Sequence, residues 1–142
     1  MAKAAEKTLQ LKLMTPDKTV LKQAVNSISV PTTLGQITIL PEHSYIVSII
    51  VPGELVVQVD GKESPLAVAG GIVEVFDNEV VVLADVAEHP EAIDVEVAEQ
   101  RAKELAQQIA EETQMDMTTY SLLQRNLELE RARIEVKKKW KR

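Results

Sequence analysis

The 142-residue chain predicts a mixed, two-part fold: an antiparallel β-sandwich, or flattened barrel, over residues 1–87, then an antiparallel α-helical hairpin over residues 88–142. Three observations predict it. Short apolar runs at period two, punctuated by proline, glycine and Asp/Asn pairs, fill the first part. Glycine and proline vanish after Pro90, where Ala, Glu, Gln, Leu, Lys and Arg dominate, and these residues lose little on entering a helix. Apolar residues make up 45% of the chain but aromatic ones only 3%, so its core must be aliphatic.

The strands follow in order. Leu9, Leu11 and Leu13 alternate with Gln10 and Lys12, the period of a half-buried strand. Thr15-Pro16-Asp17-Lys18 supplies turn chemistry, because proline fixes φ and aspartate bonds nearby backbone. Ile28 and Val30 alternate with serines before Pro31. Ile37–Leu40 and Ile46–Val51 come next, each stopped by a proline. Leu55–Val59 then meets Asp60-Gly61, a pair suited to a tight hairpin, with a return strand near Leu66–Val68. A second hairpin joins Ile72–Phe76 to Val80–Leu83 through Asp77-Asn78. Gly70-Gly71 between them reads as a bulge or a close backbone approach.

In the helical part, Ala98, Ala102, Leu105 and Ile109 form one narrow apolar stripe. Thr113–Thr119 is the expected loop, with Asp116 or a threonine as cap, and the second helix should run from Thr119 to Lys139. That helix carries two apolar stripes: Tyr120, Leu123, Leu127 and Ile134, and roughly opposite them Leu122, Leu129, Val136 and Trp140. An exposed hairpin helix needs one such face. The second implies packing on the sandwich or on a partner subunit.

Several classes of function are excluded or disfavoured. The net charge of −6 argues against nucleic acid as a partner, since phosphate affinity rests on surplus Lys and Arg. With no cysteine, disulfides, thiolate metal sites and thiol nucleophiles are absent together, which suits a reducing compartment. The start, Met1–Lys7, lacks the apolar stretch of a secretory signal. No window approaches the roughly 20 apolar residues that cross a bilayer, so no direct membrane insertion is expected. His43 and His89 lie far apart, with no metal or triad companions at workable spacing, and no phosphate-loop or dinucleotide pattern occurs. An enzyme is not expected.

One cluster stands out. Arg131, Arg133, Lys137, Lys138, Lys139, Lys141 and Arg142 are opposed in that stretch only by Glu135. Helix-dipole complementation explains a few such cations but not all of them. Docking against an acidic partner surface accounts for the rest, and such docking weakens with salt.

Several consecutive segments resemble the epsilon subunit of bacterial and chloroplast F-type ATP synthases. Gly35-Gln36-Ile37-Thr38-Ile39-Leu40-Pro41-Glu42-His43 is similar to the family's Gly-Glu-Leu-Gly-Ile-Leu-Pro-Gly-His segment. Pro52-Gly53-Glu54-Leu55, then Leu66–Val75 around Gly70-Gly71, then Val80–Asp85 follow in the family's order, and a helical hairpin completes the chain. The resemblance implies a non-catalytic central-stalk subunit of the proton-translocating synthase, one that couples rotation of the membrane ring to ATP synthesis. Its sandwich would bind the gamma subunit and the ring of c subunits. Its hairpin would lie on the sandwich or extend toward the catalytic alpha and beta subunits, where the basic helix meets an acidic loop and restrains ATP hydrolysis. The implied location is peripheral, at the cytoplasmic face of the bacterial membrane. A free-standing β-sandwich binding module with a helical tail is the competing reading.

The family's pattern also assigns residues. Gln36 stands where a ring-facing glutamate is usual, Thr38 and Glu42 replace usual glycines, and His43 matches, so Gln36 and His43 are the implied ring contacts. Arg131, Arg133, Lys137, Lys138 and Lys139 are the implied contacts of the basic helix. Some members bind regulatory ATP through an Ile/Leu-Asp-x-x-Arg-Ala motif, and the matching positions here are Glu88, Ile93, Asp94, Ala98 and Arg133. Val97 replaces the motif's arginine. Loss of a phosphate-gripping guanidinium should leave ATP binding weak or absent, so no cofactor is expected.

Overall fold

The computed structural model describes residues 7–111 and 114–140. The loop residue Thr113 and the terminal cations Lys141 and Arg142 lie outside the described residues.

β1 (Leu9–Met14) buries its three leucines and exposes Gln10 and Lys12, as the alternation predicts. β2 (Thr19–Val25) returns antiparallel beside it. That strand is absent from the sequence reading: it is an edge strand whose half-buried residues, Val20 and Leu21, are adjacent rather than alternate. β3 (Ser27–Thr32), β4 (Gly35–Ile39), β5 (Ile46–Ile49) and β6 (Gly53–Val59) match the apolar runs. Asp60 and Gly61 close the next hairpin at φ 50° and 78°, as a tight primed turn requires.

The two strands expected either side of Gly70-Gly71 are one. β7 (Lys62–Phe76) runs through both glycines, at φ 67° and 107°, and keeps register with β8 (Glu79–Glu88), pairing Ala69 with Val86 and Gly71 with Ala84. A methyl group at Gly71 would strike the carbonyl of Leu83, so close approach is the reason for glycine here. Before the glycines β7 pairs with β6; after them it pairs with β5. This change of partner folds the sheet over on itself. The strand order is β2-β1-β8-β7-β6-β3-β4, with β5 on the far half of β7. Every strand pairing is antiparallel except β1 with β8, which is parallel. Inward residues of all eight strands or their ends, from Leu9 to Val82, make one aliphatic core.

After β8 a short 3₁₀ turn (Pro90–Ala92) leads into α1 (Val95–Glu111) and α2 (Met117–Lys139). The carboxylate of Asp94 accepts from the backbone N–H groups of Glu96 and Val97, which fixes the start of α1. Asp116 accepts from Thr119 N–H at 2.7 Å, so α2 begins two residues ahead of the expected Thr119. The hairpin is folded down. α2 is the inner helix, lying on β6, β7 and the 3₁₀ turn, and α1 packs mainly on α2.

Candidate functional site

Two surfaces are the candidates for function. The first is the outer face of β5, β7 and β8. Ile49, Ile72 and Leu83 are direct cross-strand neighbours there, and Tyr45 meets Phe76 edge to face at 6.1 Å. Val47 adjoins them. All six are exposed, Phe76 and Tyr45 by 63% each. Glu74, exposed between Ile72 and Phe76 on the same face of β7 and opposite Val47, divides the row from the aromatic pair, and exposed apolar clusters of this size on a folded domain mark a candidate protein interaction site. The sequence held a signal for it that the period-two reading passed over. Ile46–Val51 and Val80–Leu83 are apolar at both parities, which a strand needs only when both its faces are covered.

The second surface is the seam under α2. Of its two stripes, the one containing Val136 and Trp140 faces the sandwich, but only at the C-terminal end. Val136 is fully buried with Ala67 and Ile93, and Trp140 packs against them. Leu129 is half-buried and Leu122 is exposed. On the other stripe Leu127 is buried and Leu123 and Ile134 are half-buried, while Tyr120 is exposed.

Around that apolar seat runs a set of polar clasps. Glu54 accepts from the Trp140 indole N–H at 2.5 Å and from Lys139 Nζ at 3.1 Å. Arg133 donates to Glu88 at 2.7 Å and to Glu130 at 3.0 Å. Lys137 Nζ donates to the carbonyl of Pro90 at 2.9 Å, and Arg125 pairs with Asp85. Lys138 reaches across the hairpin to Glu99 at 3.3 Å. Burial opposes the Arg133 charge, but hydrogen bonding and charge from Glu88, then Glu130, outweigh it and hold its pKa above the ordinary value. Its Nε is buried without a partner, so this clasp is incompletely satisfied.

The basic cluster is therefore mostly occupied from within. Arg133, Lys137, Lys138 and Lys139 all hold acceptors on this chain, whereas Arg131 is exposed and pairs with no described carboxylate. Sequence reasoning missed the acceptors Glu54 and Asp85, and also Arg125, because their pairing exists only in the tertiary fold, and it passed over Glu130, whose i,i+3 spacing from Arg133 on one helix was a readable signal.

The residues matching the ATP motif do converge, but as structure. Asp94 spends its carboxylate on the α1 cap, Ile93 and Ala98 are buried, and Glu88 is bonded to Arg133. Val97 is 42% exposed. Gln36 and His43 lie toward opposite ends of β4: Gln36, its second residue, is beside the Thr33-Leu34 turn and donates to the Glu54 carbonyl, and His43 is past Ile39 in the loop before β5. They do not form one cluster. Among the described residues no group of three or more His, Cys, Asp or Glu side chains is placed to hold a metal ion.

An all-β domain with an apolar outer face, carrying a charged helical hairpin clasped to its side, is built for docking to other proteins rather than for covalent chemistry. Residues 8–90 match the family model of the ATP synthase delta/epsilon chain β-sandwich domain. The chain belongs to that family. It is 35% identical over 128 residues to the ATP synthase epsilon chain of Herpetosiphon aurantiacus, covering 90% of this chain and 91% of that one. It is 41% identical over 103 residues to that of Nitratidesulfovibrio vulgaris, covering 72% and 76%. Its fold superposes with a TM-score of 0.76 and 25% identity on a chain of the Euglena gracilis mitochondrial ATP synthase, in a structure of its OSCP/F1/c-ring, covering 88% of this chain and 78% of that one. A Tetrahymena thermophila mitochondrial central-stalk chain shares the fold, with a TM-score of 0.64 at 14% identity and coverage of 93% and 98%. The chain is a non-catalytic central-stalk subunit of an F-type ATP synthase. No helix among the described residues is long and apolar enough to cross a membrane.

Proposed function

We propose that this subunit couples rotation of the c-subunit ring to ATP synthesis by binding the gamma subunit through the outer face of β5, β7 and β8. The observation that carries this reading is the row Ile49–Ile72–Leu83, apolar and open to solvent, with the Tyr45–Phe76 pair on the same face beyond the Val47–Glu74 rung. Burying such a row against a shaft supplies about 25 cal/mol per Å² of apolar surface. The end of the sandwich bearing Leu34 and Gln36, with His43 at the other end of β4, supports a ring contact by one of the two ends rather than by both. The subunit sits peripherally at the cytoplasmic face of the bacterial membrane.

In the same reading α2 is a brake. Released from the sandwich, its cations dock on an acidic surface of the alpha and beta subunits and restrain ATP hydrolysis. Regulatory ATP binds weakly or not at all, because Val97 offers no cation and Asp94 is committed to the helix cap. Calorimetric titration should show no heat of binding at micromolar ATP.

The test of the main reading is co-purification. Wild-type chain should elute with gamma, and Ile49→Asp, which drives a charge into the row, should elute alone with its fold intact by circular dichroism. Retention of Ile49→Asp on gamma rules out this face. Failure of the wild type to bind gamma at all favours the free-standing binding module.

A further inference from the structure

We propose that Asn78 is a positioning residue for partner docking, its side-chain amide fixing the loop from Leu40 to Tyr45 so that Tyr45 is presented on the outer face. This rests on the gamma-binding reading above and names what orders one edge of that surface. Asp77 and Asn78 make the turn between β7 and β8 at φ 50° and 59°. Two positive angles define a primed hairpin turn, in which glycine is the favoured second residue, and the chain uses Asp60-Gly61 at its other such turn. The turn alone therefore does not call for an asparagine. The amide reaches outside it instead. Its Nδ2 donates to the carbonyl of Thr8 at 2.9 Å, and its Oδ1 accepts from the backbone N–H of Glu42 at 2.8 Å. The Asn78 carbonyl accepts from Gln10 N–H at 3.1 Å. Turning the amide over would set donor against donor and acceptor against acceptor, so both contacts require the same orientation.

The far end of this bridge is a strained residue. Glu42 sits at φ 64°, in the left-handed region that residues with side chains enter rarely. Such residues persist where their surroundings over-determine them, and they gather at clamps and binding sites. The Glu42 carboxylate meets Lys7 Nζ at 3.1 Å, but those side chains are 69% and 74% exposed, and a pair so open to water holds little. His43 N–H donates to the Leu40 carbonyl at 3.1 Å, which closes the loop on itself without attaching it to a strand. Among the described residues, the Asn78 amide is the tie from this loop to the β7–β8 turn.

That turn also carries Phe76 immediately before it, and Phe76 is the ring that Tyr45 meets edge to face, with the planes at 83°. One turn thus places both aromatic rings, Phe76 along the chain and Tyr45 by way of Glu42. Leu40 and Tyr45, at the two ends of the tethered loop, are 56% and 63% exposed. They are the apolar groups whose position the tether controls. A loop already ordered in the free chain gives up less conformational freedom when a partner covers it, so the amide acts by preorganisation, with no contact of its own to the partner.

The experiment compares Asn78→Gly, which keeps the turn and removes both side-chain bonds, with Asn78→Asp, which keeps the acceptor for Glu42 and loses the donor to Thr8. In the full chain, hydrogen exchange at the Glu42 amide should accelerate in Asn78→Gly while the urea midpoint stays at or above that of the wild type. Affinity for gamma should fall about fivefold in Asn78→Gly, and Asn78→Asp should recover most of that loss. Tyr45→Ala should cost less affinity in the Asn78→Gly background than alone, because an untethered ring contributes less. Wild-type affinity in Asn78→Gly, equal losses in Asn78→Gly and Asn78→Asp, or additive losses with Tyr45→Ala each overturn the assignment. Failure of the wild-type chain to bind gamma overturns it together with the reading beneath it. Exchange at Glu42 in the free chain distinguishes the two failures: acceleration in Asn78→Gly means the docking reading is at fault, and no acceleration means the tether is.

Discussion

Gly71 shows how one missing methyl group shapes this molecule. Its backbone sits at φ 107°, where side chains other than hydrogen are strained by about 1–3 kcal/mol, and a Cβ would meet the Leu83 carbonyl on the neighbouring strand. Gly71→Ala should therefore lower the sandwich's stability by at least that strain, read as a drop in the urea midpoint with little change in slope. An unaltered midpoint would mean the strand does not need its bend. The sequence announced this position only in part. Two adjacent glycines said that backbone had to come close to something, and close approach is what the structure shows. They also looked like a boundary between strands. A pair of positive φ angles lets a strand bend sharply while its ladder with β8 continues, and nothing in composition distinguishes a bend from an end.

At the level of elements, legibility followed how local the determining physics was. The leucine alternation of β1, the Asp60-Gly61 hairpin and the Asp116 cap depend on neighbours in the chain, and all were readable. β2 was not, because an edge strand with Lys22, Gln23 and Ala24 exposed carries no clean period. The parallel meeting of β1 and β8 joins strands at opposite ends of the domain, and no local signal encodes it. The exposed apolar side of β5 was written in its doubled apolar parity, while the clasps from α2 to the sandwich were not written anywhere along the helix. Helix caps also set a pH response. Hydrogen bonds from Thr119, backbone first and then side chain, hold the Asp116 carboxyl below the ordinary 3.8. The unfolded chain thus takes up that proton first. The cap's contribution is complete above about pH 3.8 and is lost as pH falls through the lower folded value. Amide exchange at Thr119 should accelerate over that acid range, and Asp116→Asn, which still accepts a hydrogen bond, should abolish the dependence. If the variant accelerates equally, another group is responsible.

Across the whole molecule, a broad aliphatic core contrasts with a hairpin held by a small apolar seat and several partly exposed ion pairs. Such pairs are worth about 0–1 kcal/mol each, and full burial of a residue such as Val136 about 1.5–3 kcal/mol. The hairpin is consequently the part that can leave under modest force, while the sandwich persists. Truncation after Val86 should leave a cooperatively folding domain that still binds gamma, and should raise ATP hydrolysis by the assembled enzyme. Hydrolysis unchanged by the truncation would show that the helices exert no restraint here. The family model covers the β-domain, residues 8–90, while the likeness to the Herpetosiphon aurantiacus epsilon chain spans 90% of this chain and so takes in the hairpin as well.

The position of α1 has a mechanical consequence. It is seated mainly on α2, so it has little hold of its own on the β-layers. Prying α2 loose therefore lifts both helices together, with Lys138 and Glu99 riveting them near the hinge. A hairpin released from the sandwich would move as a single lever, with the short stretch around Pro90 that joins it to β8 as its tether.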